Sequence, residues 1–443
     1  MDLSRVLLRF AAGRPRPLVV TAPHGTAVRL LVEAELALRG WRTADAPAGA
    51  CLLVVCGTPE NALARAVRTV WSGMAAPKAL VELPADGAGE RVAAELDAAV
   101  SRLADVRAQH EEAARGHEYG ARGHGRKGPG EDEQGHGHDG GGGREDHDGS
   151  GHEHHDGGGH EHHMGLPGGV RMAERGPDRD GLTLDRLHVP LGPVLPYWPA
   201  GLVVETTLQG DVIQEAAVRV AGGAGGDRFW DEPWLAALAG RRVTRGEAAR
   251  RTAGAHLDSL GRLLATAGWA GAAVEARRLR DQVLGERPRE EITRRYDRFA
   301  RRVGRSRPLR WMLRDLGRID PRTPSPVGDP RGPGRSDGPH THGEAPSGLT
   351  AGDMPGWARG DVLARTRGWL AGTGAALDAM DDTAALDDDE GPRGPVGDHP
   401  SEGVLALLPG LLAGAELAAA RLIVASLDPD IDQVRPERVT AHG

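Results

Sequence analysis

The sequence predicts an α/β N-terminal unit built on a parallel sheet and an α+β C-terminal unit made of a β hairpin and a helical bundle. A disordered His/Gly-rich linker joins them. Three observations carry this expectation. Apolar β-rich runs alternate with helical patterns between residues 16 and 105, as parallel strands joined by crossover helices require. Residues 202–220 alternate with a period of two, which sends successive side chains to opposite faces of a strand. Between residues 110 and 163 hydrophobic periodicity disappears, so that stretch has no core to bury. The boundaries that follow are 1–106 for the first unit, 107–180 for the linker, 181–322 for the β unit and its helices, 323–356 for a Pro/Gly linker, and 357–443 for the last helices.

In the first unit, residues 17–21 are a short apolar strand and 27–39 a helix. Residues 51–56, CLLVVC, form a continuous apolar run, expected of a strand covered on both faces. A Gly57-Thr58-Pro59-Glu60 turn leads to a helix over 61–74, then a strand over 79–83 and a helix over 91–106. Gly25 and Gly57 follow strands, but neither a GxGxxG nor a Walker pattern is present, so they read as ordinary strand-to-helix turns. Cys51 and Cys56 are the two cysteines of the chain. They imply no disulfide framework, fit a cytosolic setting, and read as small packed apolar side chains. Charged residues interrupt positions 1–10, against a secretory leader. The net charge of −8 gives no whole-chain attraction to nucleic acid.

The linker is mostly Gly, His, Asp, Glu and Arg. It clusters His136 with His138, His152 with His154 and His155, and His160 with His162 and His163. Imidazole suits Ni²⁺ and Zn²⁺, so these side chains are candidate ligands, although their spacing fits no closed structural zinc site.

In the second unit three prolines stiffen the loop 192–201 by fixing φ. Gln209-Gly210-Asp211 makes a hairpin turn between strands over 202–209 and 212–220. Trp230 reads as a packing anchor. Thr244 and Glu247 form a capping box ahead of an apolar stripe, Ala253, Leu257, Leu260, Leu264 and Ala267. His256 borders that stripe as a core histidine. A helix over 272–284 follows. Residues 287–318 carry twelve arginines interleaved with Tyr296, Phe299 and Trp311; a solvated helix face with partner contacts is preferred there over a nucleic-acid or anionic-lipid surface. His340 and His342 in the second linker would bind metal weakly at best. Residues 360–380 fit a helix, and the acidic run 381–390 a solvated loop. Residues 403–427 form one long apolar helical stretch whose Glu416, Arg421, Pro409 and Gly410 argue for a buried helix and against a transmembrane segment.

Several of these residues carry a resemblance. Gly192-Pro193, Pro196, Gly201 and Gly210-Asp211-Val212, then EARRLRD at 275–281, Gly360-Asp361, Glu390-Gly391-Pro392-Arg393-Gly394 and Ser426-Leu427-Asp428-Pro429 resemble the quinone-site subunit of complex I (NADH-quinone oxidoreductase), a relative of the large subunit of nickel–iron hydrogenases. Gly57-Thr58, Val67-Arg68, Met74 and Pro77-Lys78 are similar to the cluster-bearing small subunit of the same complex. The resemblance implies a quinone beside the 192–201 loop. That family's two loop histidines are replaced here by Leu195 and Ala200, so a quinone would rest on apolar and aromatic contacts from Leu195, Tyr197 and Trp198. The small-subunit cysteine pair would fall near His24-Gly25, and no cysteine lies beyond Cys56. Neither an iron–sulfur cluster nor a hydrogenase nickel site is therefore expected. The implied role is a divergent, fused subunit of a complex I-like NADH-quinone oxidoreductase or membrane hydrogenase-like assembly. It would not be catalytic alone. Its partners would be the membrane and peripheral subunits of that assembly, on the cytoplasmic face of the plasma membrane. The alternatives are a His-rich nickel/zinc storage or delivery protein on an inherited fold, and a purely structural adaptor.

Overall fold

The structure is a computed structural model, and it describes residues 12–85, 88–123, 174–177, 183–221, 226–320 and 355–435. The first unit runs β1 (Pro17–Thr21), α1 (Thr26–Leu38), β2 (Leu52–Cys56), α2 (Asn61–Gly73), β3 (Ala79–Leu83), α3 (Ala88–Ala104) and α4 (Val106–Gly123). Its three strands are parallel, in the order β1-β2-β3. All five residues of the central β2 are buried, which is why its sequence is continuously apolar. Leu52, Val54 and Cys56 pack with Val28, Val32 and Leu96 of α1 and α3. Leu53 and Val55 face the other way, with Leu63 and Val67 of α2.

Helix α4 occupies the first part of the span that the sequence reading assigned to a linker from residue 107. Side-chain anchors explain the difference. The Asp105 carboxylate accepts from the backbone N–H groups of Arg107 and Ala108 at 2.9 and 3.2 Å, satisfying donors that a helix start leaves free. The Gln109 amide accepts from the Lys78 backbone N–H at 2.8 Å and donates to the carbonyls of Lys78 and Arg102 at 3.1 and 2.9 Å. These contacts tie the new helix to the start of β3.

The second unit opens with an antiparallel sheet in the order β4 (Glu174–Pro177), β5 (Thr183–Leu191), β6 (Leu202–Gln209) and β7 (Val212–Val220). The hairpin β6–β7 is present in the expected place, with a register shift at Thr207/Leu208. β4 falls inside the span read as linker and pairs with β5. Strand β6 is covered on both faces. Leu202, Val204 and Leu208 join the helical core, whereas Val203 joins the core of the first unit with Leu18, Val20 and Leu53. The two units therefore share buried apolar surface.

The helices are α5 (Glu232–Leu238), α6 (Arg245–Thr266), α7 (Ala270–Leu284), α8 (Arg289–Gly304), α9 (Arg307–Leu313) and α10 (Val362–Asp378), followed by the short pair β8 (Glu390–Gly391) and β9 (Gly394–Pro395), α11 (Pro400–Leu412) and α12 (Leu417–Leu427). The expected capping box starts α6: Thr244 accepts from the Glu247 N–H at 3.2 Å, and the Glu247 carboxylate accepts from the Thr244 N–H at 2.6 Å. The apolar stripe of α6 packs with Ala276, Leu279, Trp369 and Leu427 in one core. Arg365 of α10 is buried beside that core, with Asp361 as a nearby charge but no direct ion pair among the described residues. Its guanidinium donates to Ser426 Oγ at 2.9 and 3.0 Å and to the carbonyls of Ala358, Gly360 and Gly317, and burial pushes its pKa down to about 10.

The apolar stretch 403–427 is two helices rather than one. The break between α11 and α12 docks on β7: Gly414 N–H donates to Ile213 O at 2.7 Å and Ile213 N–H donates to Ala415 O at 2.9 Å. Gly414 has φ +79, a conformation that glycine adopts without steric cost. Among the described residues no helix is long and apolar enough to cross a membrane. The acidic run before β8 is exposed and tethered: Arg245 holds Asp387 at 2.7 Å, and Trp234 donates to Asp388 at 3.1 Å.

Substituting Thr244→Ala removes the α6 cap. It is expected to cost about 1 kcal/mol, read as a lower urea midpoint at unchanged slope. An unchanged midpoint would show that the tertiary contacts of α6 hold its first turn without the cap.

Candidate functional site

Helix α1 of the first unit lies across α6 and α7 of the second, and the contact combines a small apolar cluster, Leu30 with Ala255, with a buried charge network. Arg29 and Glu33 are one turn apart on α1 and face Asp258 of α6 and Arg280 of α7. Arg29 grips both oxygens of Asp258 at 3.0 and 2.7 Å and reaches Glu33 at 3.1 Å. Arg280 reaches Glu33 and Asp258, each at 2.6 Å, and Asp281 at 2.7 Å. Arg280 and Asp258 are buried. Burial alone would raise the two carboxyls, but the neighbouring guanidinium groups outweigh it. Arg29, Arg280 and Arg277 hold Glu33 down to about 2, and Arg29, Arg262 and Arg280 hold Asp258 well below the ordinary range.

A second cluster adjoins the first. Asp428, at the end of α12, accepts from Arg262 at 2.7 Å, from Ser259 Oγ at 2.6 Å and from Arg393. Two stretches singled out in the sequence, Pro392-Arg393-Gly394 and Ser426-Leu427-Asp428-Pro429, thus meet in one ion pair. Beyond it stand Asp430, Asp432 and Asp231, where cations are fewer. Burial and then the Asp430 charge push Asp231 up to about 6, and the same two causes raise Asp432 well above the ordinary range. Burial also raises Asp430. Gln433 donates to both oxygens of Asp231 at 3.2 and 3.0 Å, and the His24 backbone N–H donates to Asp432 at 2.6 Å.

Some of these groups, Arg29, Glu33, Arg262, Arg393, Asp428, Asp430 and Asp432, line a cleft between the units with a volume of about 80 Å³. One wall is polar, with Arg29, Arg262, Arg393, Asp428, Asp430 and Asp432. The other is the 192–201 loop, through Leu195, Tyr197 and Trp198. Four buried polar atoms among the lining residues have no hydrogen-bond partner: Arg262 Nε, Arg277 Nη2, Arg393 Nη1 and Asp430 Oδ2. A cleft of this size has room for several waters, each needing roughly 10–15 Å³ by the same measure.

The three loop residues differ in what they leave free. The Trp198 indole N–H is already used, donating to Leu202 O at 2.9 Å. Leu195 packs against the helical core. The Tyr197 hydroxyl lies 3.4 Å from both Thr43 Oγ1 and Asp45 Oδ1, and Arg277 sits over its ring at 5.1 Å. Gly192 is required here, since a Cβ would lie 2.3 Å from Leu202 O and 2.5 Å from the Trp198 nitrogen. The His24 side chain lies 3.6 Å from Asp432. At Gly25 a Cβ would approach Cys56 O to 2.3 Å, so the α1 start presses directly on β2. Trp230 is buried with Leu30 and Ala255, as an anchor would be. His256 is buried, and burial, followed by the Arg393 charge, pushes its pKa down to about 3. It stays neutral at physiological pH.

Neither cysteine lines the cleft. The Cys56 thiol is raised by burial, and Cys51 Sγ accepts from the Arg16 N–H at 3.2 Å. The histidines proposed as metal ligands, His136, His138, His152, His154, His155, His160, His162 and His163, lie outside the described residues, as do His340 and His342. Among the described residues no group of three His, Cys, Asp or Glu is placed to hold a metal ion. Sequence reading missed Arg29, Glu33, Asp258 and Arg262. The available signal was a charge interrupting an apolar helical run, as Asp258 does between Leu257 and Leu260.

No family model matches the sequence, and no curated protein matches it. Among solved structures the chain is similar to a chain of the membrane-bound sulfane sulfur reductase (MBS), an archaeal respiratory membrane complex. Identity is 14%, the match covers 56% of this chain and 98% of that one, and the TM-score is 0.34. The likeness is coarse, and no residue role is transferred through it.

Two outcomes are expected from the charge clusters. Asp258→Ala leaves Arg29 and Arg280 short of a buried anion. Breaking such a network by removing one partner costs about 3–5 kcal/mol, measurable by denaturant unfolding. Asp231→Asn acts through pH. The folded pKa of Asp231 is raised, so the folded state binds the extra proton and wild-type stability falls as pH climbs from about 4 through 6. The asparagine variant should match wild type near pH 4 and exceed it above pH 6, by on the order of 2 kcal/mol. Parallel stability–pH curves for the two proteins would show that Asp231 does not titrate in this range.

Proposed function

We propose that this chain is a divergent subunit of a complex I-like respiratory assembly, carrying on one polypeptide a small-subunit-like unit and a quinone-site-like unit. One observation carries the reading. Three stretches that bear the sequence resemblance, at 192–201, 392–394 and 426–429, line one cleft together with Arg29 and Glu33 of the first unit. They are far apart in the chain, and independent local constraints would not gather them. No cluster-ligating cysteines are present, so electrons would come from another subunit.

The chemistry of the cleft suits a polar end and an apolar side. Arg393 has an uncommitted buried N–H and can donate to a carbonyl oxygen. The raised carboxyl of Asp432 holds a proton more readily than an ordinary carboxylate, a prerequisite for giving it to a reduced acceptor. The interior space of about 80 Å³ suits waters rather than a ring. A quinone contact therefore belongs at the open rim, against Leu195 and Tyr197, with Trp198 supporting the loop from behind. Docking in the assembly would put the chain on the inner face of the plasma membrane.

An affinity pull-down from mildly solubilised membranes tests membership: proton-pumping membrane subunits should be recovered in fixed ratio. Recovery of the chain alone would refute it. On the intact assembly, Tyr197→Ala should weaken saturable quinone binding by about tenfold, equivalent to 1.4 kcal/mol. The eight clustered linker histidines favour a second reading, delivery or storage of Ni²⁺ or Zn²⁺. Deleting residues 124–163, which spares α4, should then disturb cellular metal handling while the assembly stays intact, and unchanged handling would remove that reading.

A further inference from the structure

Helices α8 and α9 carry a surface that neither the cleft nor the shared core uses. Ile292, Tyr296, Phe299 and Val303 are the buried stripe of α8. Arg294, Arg298, Arg301 and Arg305 recur at helical spacing on the opposite side, and all four are exposed. In α9, Leu309 and Leu313 are buried. Trp311 projects outward, 79% exposed, with Met312 beside it at 38%. Arg307, Arg310 and Arg314 stand four before, one before and three after Trp311, and they too are exposed. Residues 292–314 hold nine arginines and one acidic residue, Asp297, in a chain whose net charge is −8. Seven of those arginines, namely Arg294, Arg298 and Arg301 of α8, Arg305 just after it and the three around Trp311, form no ion pair among the described residues. Arg302 is engaged over Trp269 at 5.0 Å.

The exposed indole decides between two readings. In the sequence the three aromatics looked equivalent, interleaved with arginine. The structure buries Tyr296 and Phe299 and leaves Trp311 in solvent. An exposed Trp–Met pair ringed by arginines matches the demands of a lipid–water interface: an amphipathic ring at headgroup depth, an apolar neighbour beneath it, and guanidinium groups at the phosphates. Methionine offers a nucleic-acid base neither a stacking plane nor a donor, whereas it inserts readily among acyl chains.

We propose that the α8–α9 face binds the anionic surface of a lipid bilayer directly, with Trp311 and Met312 entering the headgroup region and the Arg294–Arg298–Arg301–Arg305 stripe on the phosphates. The inference stands on the chain's own surface and does not depend on the assembly proposed above. Co-sedimentation of the full chain, purified alone, with phosphatidylcholine vesicles with and without phosphatidylglycerol tests it. The buffer is held at about pH 8 so that histidines are neutral. The wild type should pellet with the phosphatidylglycerol vesicles only and be released by salt. The exposed-residue variant R294E/R298E/R301E/R305E should lose binding by about two orders of magnitude or more, since each basic group near an anionic surface supplies about a fivefold gain in partition. Trp311→Ala should weaken binding several-fold, and its circular dichroism and melting should match wild type. Should the quadruple variant fold poorly, the triple variant R307Q/R310Q/R314Q serves in its place. Equal binding to both vesicle types, or undiminished binding by the variants, would overturn the proposal. So would tighter binding to a single-stranded RNA than to the anionic vesicles, which would assign the patch to nucleic acid.

Discussion

Arg29 and Arg280 share Asp258 and Glu33 between them in a buried, hydrogen-bonded lattice, and the orientation of the two units depends on it. The apolar contact between them, through Val203 and the first unit's β1 and β2 residues, is non-directional and would tolerate rotation. The ionic lattice does not, because a guanidinium fork binds a carboxylate in one plane. Such a lattice need not add stability over a well-packed apolar replacement, since removing four charges from water is costly. Its effect is to select one arrangement: any other leaves buried charges unpaired.

The same lattice sets the electrostatics of the cleft. Cations are concentrated at the α1–α6–α7 junction, where Glu33 and Asp258 are held ionised. A few residues further, at Asp430, Asp432 and Asp231, anions outnumber the cations that could neutralise them, and burial tips the balance toward the protonated form. One cleft therefore carries two classes of carboxylate, distinguished by their neighbours rather than by their type. Arg393 lies at the boundary, bonded to Asp428 on one side and with a free N–H on the other.

Glycines make the close approaches possible. Gly25 admits the start of α1 against β2, and Gly192 admits Trp198 against the loop backbone. Both occur in segments that line the cleft. Small residues there let backbone reach positions that any side chain would block.

Local periodicity is a property of neighbouring residues, and the sequence alone determined what rests on it: the parallel strands, the β6–β7 hairpin, the Thr244–Glu247 capping box and the apolar stripe of α6. The loop residues Leu195, Tyr197 and Trp198 stood together in the sequence through the resemblance of their loop, and the fold places all three along the cleft. Helix α4 was not legible, since its anchor, Gln109, acts on Lys78 and Arg102 through bonds that no composition reports. The division of 403–427 into α11 and α12 was hidden for the same reason, because it is made by backbone pairing with Ile213. Asp258 looked like an interruption in a helix until α1 supplied Arg29, 229 residues away in the chain. Long-range charge pairing leaves no periodic trace, so only the tertiary structure decided which charged residues are buried, which carboxyls are raised, and which of three similar aromatics, Tyr296, Phe299 and Trp311, faces the solvent.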